Sequence, residues 1–306
     1  MKQKHPEKGI RVLCELFGLT RQAYYKANKR QEVQHEKDRL MLKKLKKLRE
    51  EMPGVGTRKL QHLTVSYRKK HGIKMGRDKM HEILRKENMH IRFRRRRTRT
   101  TYSDHSYVRY KNLTENLEVN AIDQLYVSDI TYIPVGKYFA YLNLVTDAYS
   151  RKIVGWKLHN SLHAQGTIEA LQMALRQKGA HPLPQPLIHH SDRGIQYCCY
   201  EHVRLLKKHD VLVSMTNSPD PLENPLAERM NRTLKEEFRL EQGFPTFELA
   251  QQAVARTIFI YNHKYPHGSL GYCTPDQVHN GKKPGPKKWK NYRRKPKPSE
   301  LEKLVM

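Results

Sequence analysis

Three acidic residues stand at positions where a carboxylate needs a reason to be. Asp129 lies in V-S-D-I-T-Y, inside a β-rich run where an apolar side chain would otherwise serve the core; a carboxylate buried in a strand without a partner is costly. Asp192 closes the run P-L-I-H-H-S-D, and Gly194 just beyond permits a tight turn. Its side chain can project past the strand end, where ligand sites in open α/β sheets lie. The stretch L-E-N-P-L-A-E-R-M-N-R-T-L-K offers two more carboxylates, Glu223 and Glu228. Asn224 suits a helix N-cap and Pro225 the first helical position, which leaves Glu223 outside the helix and puts Glu228 in its first turn. At about 100° per residue, Lys235 seven positions on falls within about 20° of Glu228 on the same face.

A glutamate in a first turn has an ordinary role against the helix dipole. The set is what carries chemistry. Two aspartates from strands and a glutamate from a helix start are hard oxygen ligands of the kind Mg²⁺ or Mn²⁺ takes, and cations would relieve their mutual repulsion. Two ions per site, about 3.5–4 Å apart, can activate an attacking oxygen and stabilise a leaving one in phosphodiester chemistry.

The charge of the chain points to the same substrate. The 306 residues have a net charge of +29, distributed unevenly: residues 1–100 hold 31 Lys/Arg against 10 Asp/Glu, residues 101–250 hold 16 against 17, and residues 251–306 hold 12 against 3. Basic flanks around a nearly neutral middle attract a polyanion, and each phosphate they neutralise releases counterions. The run R-F-R-R-R-R-T-R at 92–99, with Arg94, Arg95, Arg96 and Arg97 at its centre, exceeds what solubility asks for. No apolar run approaches the roughly 18 residues that span a bilayer. The amino terminus leads into no apolar secretory segment, and four scattered cysteines make no disulfide framework, so a reducing cytoplasm is expected.

Several elements must position these groups. Residues 10–28 read as a helix-turn-helix, with Leu13, Leu16 and Phe17 on one face, Gly18 as the break and Thr20 capping a second helix. Residues 32–52 read as a separate charged helix with Met41, Leu45, Leu48 and Met52 on its apolar stripe. After the turn Pro53-Gly54-Val55-Gly56, residues 57–70 and 77–89 repeat the two-helix pattern with more Lys and Arg; Arg77, Lys79 and His81, at the start of the second helix, could face a DNA groove. Residues 98–120 are a polar connector without periodicity. Three β-rich runs, a helix over about 161–178, a strand ending at Asp192, a helix, a strand and two closing helices near 225–241 and 246–262 then describe an α/β layer fold with a mixed sheet. The division is 1–52 and 53–97 for two helical DNA-binding modules, 98–120 for a linker, 121–280 for the core and 281–306 for a basic tail with Trp289 and Tyr292 interleaved.

Other chemistries fit less well. Cys198 and Cys199 start an ordinary helix without an acid–base partner. His189, His190, Cys198 and Cys199 lack the spacing of a tetrahedral zinc site, so the histidines are expected to flank the metal site or pack against it. Asp123 and Asp147 also lie near strands; Asp147 reads as a turn residue or an outer support.

At these residues the chain resembles a family, the B-frame subunit of bacterial insertion-sequence transposases with a retroviral-integrase-like, DDE-type core. The matching stretches are V-S-D-I-T-Y-I, D-A-Y-S-R-K-I-V-G-W, H-S-D-R-G-I-Q-Y, E-N-P-L-A-E-R-M-N-R-T-L-K-E-E and Y-N-H-K-Y-P-H-G-S-L-G-Y-C-T-P, in the family's order. Between Asp192 and Glu228 lie 228 − 192 − 1 = 35 residues, the family's interval. The resemblance implies a ribonuclease-H-like core with Asp129, Asp192 and Glu228 as metal-binding triad, and Lys235 in contact with donor DNA. It also implies double-stranded element ends and target DNA as partners, at least a dimer, an A-frame partner subunit and a bacterial, nucleoid-associated location. A catalytically silent DNA-binding regulator and a structure-specific nuclease on the same fold are the alternatives.

Overall fold

The structure is a computed structural model; it describes residues 8–91, 108–178, 186–218 and 223–286. The chain forms two compact units, Met1–Arg97 and Thr98–Met306. No helix among the described residues is long and apolar enough to cross a membrane.

The first unit is helical. Helix α1 (Ile10–Leu16) ends before Gly18, which takes the left-handed φ of 61° that a glycine adopts without strain. Thr20 then caps α2 (Arg21–Glu51), its hydroxyl accepting from the Ala23 amide at 3.1 Å. The two helices expected over 20–28 and 32–52 are therefore one helix of 31 residues. Nothing between them breaks it: residues 29–31 are Lys-Arg-Gln, all good helix formers. Of the stripe expected on α1 only Leu13 is buried, together with Cys14, while Leu16 and Phe17 face solvent. Met41, Leu45 and Leu48 of α2 are buried with Leu60 of α3 (Thr57–Leu63) and Met80, Ile83 and Leu84 of α5 (Arg77–Lys86). Residues 57–70 divide at Thr64 into α3 and α4 (Val65–Lys70). The buried Thr64 hydroxyl bonds back to the Leu60 carbonyl at 2.8 Å, the kind of local competition that bends helices.

The second unit is built on a five-stranded mixed sheet of β1 (Leu125–Val135), β2 (Tyr138–Asp147), β3 (Ile153–His159), β4 (Ile188–Ser191) and β5 (Leu212–Met215). Their spatial order is β3-β2-β1-β4-β5, with β1, β2 and β3 antiparallel and β1, β4 and β5 parallel, the ribonuclease-H-like arrangement. Gly136-Lys137 makes the tight β1–β2 turn, with Gly136 at φ 54°. Helix α6 (Gln165–Gln177) crosses from β3 to β4 and buries Ala170, Leu171 and Ala174 against Tyr126, Val145 and Val154. Gly155 makes that approach possible, because a Cβ there would stand 2.0 Å from the Ala170 carbonyl oxygen. Helices α7 (Ile195–Cys198) and α8 (Tyr200–Lys208) lead from β4 to β5.

On the other face, Leu125, Val127 and Ile188 pack with Ala227 of α9 (Pro225–Arg232), and Leu117 and Val119 join them. The described part of the expected connector is thus a packed strap. Tyr110 lies against the cluster of Cys198 and Met215, and the Leu113 amide donates to Ser214 Oγ at 2.9 Å. Helices α10 (Phe247–His263) and α11 (Pro275–His279) complete the unit.

Candidate active site

Asp129 sits mid-strand in β1, on the face that α9 covers. Strand β4 pairs in parallel with β1, Leu125 with Ile188 through Val127 with His190, and ends at Ser191. Asp192 follows directly beyond that strand end, next in sequence to the strand that neighbours the one carrying Asp129. The Asp192 carboxylate accepts from the Gly194 amide at 3.0 Å, which makes the tight turn anticipated there.

Helix α9 is held over Asp129 by two asparagines. Asn224 occupies the N-cap position, but its side chain does not cap the helix; Nδ2 donates instead to the Ser128 carbonyl at 3.1 Å. Asn231 Nδ2 donates to Asp129 Oδ2 at 2.7 Å, while Asp129 Oδ1 accepts from the Ile130 amide at 2.9 Å. At 100° per residue, positions 224, 228 and 231 fall within about 60° of one another on the helix. Glu228 is therefore on the stripe that the two asparagines pin to β1, on either side of it in sequence. Among the described residues, the buried Oδ1 atoms of Asn224 and Asn231 have no hydrogen-bond partner.

Glu223 has a different task. Its carboxylate accepts from the Ser218 amide at 3.0 Å, the Ser218 hydroxyl at 2.5 Å and the Asn217 amide, and the Ser218 bond holds it below the usual carboxylate range. It ties Asn217 and Ser218 to the start of α9. Lys235 lies in a π-helical turn, Thr233–Glu237, that continues α9. The i→i+5 pattern rotates Lys235 further from the Glu228 stripe than an uninterrupted α-helix would. The buried Tyr265 hydroxyl holds this turn by donating to Glu237 Oε1 at 2.9 Å.

Behind the acid pair lies a buried polar cluster. Ser128 Oγ and His189 Nε2 are 2.7 Å apart, and the His189, His202 and Tyr197 rings stand 5.2–6.1 Å from one another. Burial drives His189 well down and His202 to about 4. Tyr197 is pushed well up by burial first and then by the charges of Asp129 and Asp192. His190, on the opposite face of β4, bonds Ser214 Oγ at 2.9 Å. The histidines thus pack behind and beside the acids. Burial pushes the Cys198 thiol up to about 11, which suits packing and not nucleophilic attack. Asp147 is a buried turn residue, its Oδ1 accepting from the Ser150 amide and hydroxyl at 2.6 Å each.

The carboxylates of Asp129, Asp192 and Glu228 are hard oxygen ligands of the kind a divalent cation takes. Among the described residues, no three His, Cys, Asp or Glu side chains are drawn together closely enough to hold an ion. Asp129 accepts from Asn231 and Asp192 from the Gly194 amide.

In the first unit, Arg77 Nε pairs with Asp78 Oδ1 at 3.0 Å, Lys79 Nζ with Glu82 at 3.2 Å and Asp38 at 3.5 Å, and His81 Nδ1 lies 3.3 Å from Thr57 Oγ1. Such exposed pairs are weak and exchange readily for phosphates. Arg94, Arg95, Arg96 and Arg97 lie outside the described residues.

Residues 120–221 match a family model described as an integrase core domain, and residues 209–275 match a second model of the same description. A 31 kDa protein of insertion element IS600 from Shigella sonnei is 30% identical over 272 residues, covering 86% of this chain and 96% of that protein. The transposase InsF of insertion sequence IS3A from Escherichia coli K12 is 30% identical over 199 residues, 64% of this chain and 68% of that one. The chain belongs to the insertion-sequence transposases with an integrase core. A putative transposase of IS986/IS6110 from Mycobacterium tuberculosis is 29% identical over 213 residues, covering 68% and 76% of the two chains. Among solved structures, the catalytic core of HTLV-2 integrase in complex with magnesium covers 51% of this transposase and 96% of that chain, with 18% identity and a TM-score of 0.41.

Two residues of the transposase site escaped the sequence reading. Asn231 was visible in the quoted stretch, seven positions after Asn224 on one helix face, but nothing local marks it as a partner of Asp129. Tyr197 was one tyrosine among 17.

Proposed function

We propose that the transposase hydrolyses a phosphodiester at each end of its element and then uses the freed 3′-hydroxyl to attack another phosphodiester, with no covalent enzyme intermediate. The observation that carries this reading is the bond from Asn231 to Asp129, which aligns the stripe bearing Glu228 over the strand whose neighbour ends at Asp192. Asp129 and Asp192 would hold two Mg²⁺ or Mn²⁺ ions, with Glu228 holding one of them. Divalent ions bound there supply an activated attacking oxygen and stabilise the leaving one. Asn231 orients the Asp129 carboxylate, and Asn224 fixes where the Glu228 helix begins. The Gly194 amide orients the Asp192 carboxylate beyond the end of β4.

DNA would be drawn in by the basic first unit through Arg77, Lys79, His81 and the run Arg94–Arg97, each contact steepening the salt dependence of binding. Lys235 would neutralise donor phosphate near the cut. Two ends must be joined, so the active form is at least a dimer on element ends and target DNA, with an A-frame subunit as a further partner. The deciding experiment incubates the purified chain and its Glu228→Gln variant with labelled duplexes carrying element ends and Mg²⁺. The reading expects 3′-end cleavage followed by strand-transfer products, both lost in the variant. Cleavage without joined products would make the protein a nuclease, and binding without cleavage a silent regulator.

A further inference from the structure

Main-chain pairing between β1 and β4 runs from Leu125 opposite Ile188 to Val127 opposite His190 and goes no further. Ser128 is the next residue of β1, directly before Asp129. Alternation along the strand turns its side chain to the face of Tyr126 and Ile130, away from α9. Tyr126 and Ile130 both pack in apolar clusters, yet between them stands a hydroxyl that is only 2% exposed. A buried hydroxyl needs a partner. Ser128 Oγ has one in Nε2 of the buried His189, 2.7 Å away. The bond extends the joint between the two strands one residue past the ladder on the β1 side.

Each polar group of Ser128 reaches a different element. Through Oγ it holds β4, where the His189 ring is seated against Tyr197 of α7 and His202 of α8, with centroids 6.1 and 5.2 Å away. His189 comes before Asp192 in the chain and Tyr197 after it, so the Asp192 turn is held from both sides. Through its carbonyl, Ser128 holds α9. The buried Asn224 donates Nδ2 to that oxygen at 3.1 Å, and the Asn224 carbonyl accepts the Glu228 amide at 3.2 Å. An asparagine at this position ordinarily caps its own helix, and Asn224 gives up that bond to reach Ser128. One residue therefore joins the three elements that carry the acids.

We propose that Ser128 is a positioning residue of the acid site, its hydroxyl and carbonyl setting the spacing of Asp129, Asp192 and Glu228 at which divalent cations are shared. The inference rests on the reading of these acids as a metal site. Metal ligands must be held within about 0.5 Å of their working geometry by contacts that do not themselves touch the metal. Losing one such contact typically costs about 10–100-fold in metal affinity or activity. Alanine at position 128 would leave His189 Nε2 buried without its partner and free β1 and β4 to part where the ladder has ended. A bond that served stability alone would lower the unfolding temperature and leave the affinity for cations untouched.

The test reads Mn²⁺ binding and needs no turnover. The full chain is bound to an element-end duplex already cut at its 3′ end, and Mn²⁺ is titrated in while the electron paramagnetic resonance signal of the free ion is followed. Ser128→Ala should raise the Mn²⁺ dissociation constant about 10–100-fold and keep DNA affinity in EDTA within about twofold. Ser128→Thr, which keeps the hydroxyl, should bind Mn²⁺ within about threefold of the parent. Leu171→Ala, a core change on α6, should lower Tm without moving Mn²⁺ affinity, which separates positioning from a general loss of stability. Should Ser128→Ala fail to fold, Asn224→Ala releases α9 alone and should weaken the ion that Glu228 holds; Mn²⁺ bound as in the parent would overturn the proposal. So would a folded Ser128→Ala chain that binds Mn²⁺ within about twofold of the parent, or a Leu171→Ala chain that loses as much affinity. Those results leave the cleavage reading standing. A parent that binds Mn²⁺ but never cuts DNA overturns that reading and leaves the role of Ser128 standing, and a parent that binds none overturns both.

Discussion

Replacing Asn231 by alanine should separate stability from catalysis. The side chain donates to Asp129 Oδ2 at 2.7 Å, and a hydrogen bond to a charged group contributes about 1.5–3 kcal/mol. The same amide has a buried Oδ1 without a partner among the described residues, a cost of about 1–3 kcal/mol that alanine removes. The two nearly offset, so Asn231→Ala should shift stability by about 1 kcal/mol, or a few degrees in Tm. Its effect on chemistry should be larger. Asp129 loses the group that fixes its carboxylate under the Glu228 stripe, and losing an orienting partner of a metal ligand typically costs about 10–100-fold in metal affinity or activity. The assay is single-turnover Mg²⁺-dependent cleavage of labelled element ends, beside thermal unfolding of the same preparation. Asn231→Asp should be worse, because it sets a second carboxylate against the first. Cleavage by Asn231→Ala within twofold of the parent, at matched Mg²⁺ and stability, would refute the orienting role.

Acid should destabilise the second unit through His202. Its folded-state pKa is lowered by burial to about 4, below the unfolded value of about 6.5. Between these values the unfolded chain binds the extra proton, so stability is full above about pH 6.5 and lost as pH falls towards 4, by up to about 3 kcal/mol. His202→Leu should flatten the acid limb of a denaturation series from pH 7 to 4.5, and an unchanged limb would count against it. Gly155→Ala should destabilise by about 3 kcal/mol or more, since the new Cβ lands 2.0 Å from the Ala170 carbonyl oxygen and α6 must lift from β3; chemical denaturation that finds less than 1 kcal/mol would show that α6 sits more loosely.

Much of the second unit was legible because β1, β2 and β3 are β-rich runs bounded by turn residues, and because the short β4 stops at the Asp-Arg-Gly turn. The acids were legible as misfits in apolar or strand-end settings. What escaped depends on contacts distant in sequence. Asn224 reads locally as a cap, yet its amide finds Ser128, 96 residues away, and Asn231 finds Asp129 across 102. Residues 108–119 look like a linker because only Tyr110, Leu117 and Val119 pack, at no regular period. The π-helical turn at Thr233–Glu237 has no local signature, and Tyr265 stabilises it from 28 residues on. The single helix Arg21–Glu51 was divided because its stripe begins only at Met41, although no breaker precedes it.

The central claim is that Asp129, Asp192 and Glu228 share divalent ions against a DNA backbone. Anomalous diffraction from the transposase bound to element-end DNA in Mn²⁺ tests it most directly. The account predicts Mn²⁺ peaks about 2.1 Å from carboxylate oxygens of Asp129 and Asp192, with Glu228 ligating one ion and a DNA phosphate completing the shell. Ions bound elsewhere, or a DNA-bound site in which Glu228 ligates no ion while DNA is cut, would contradict it.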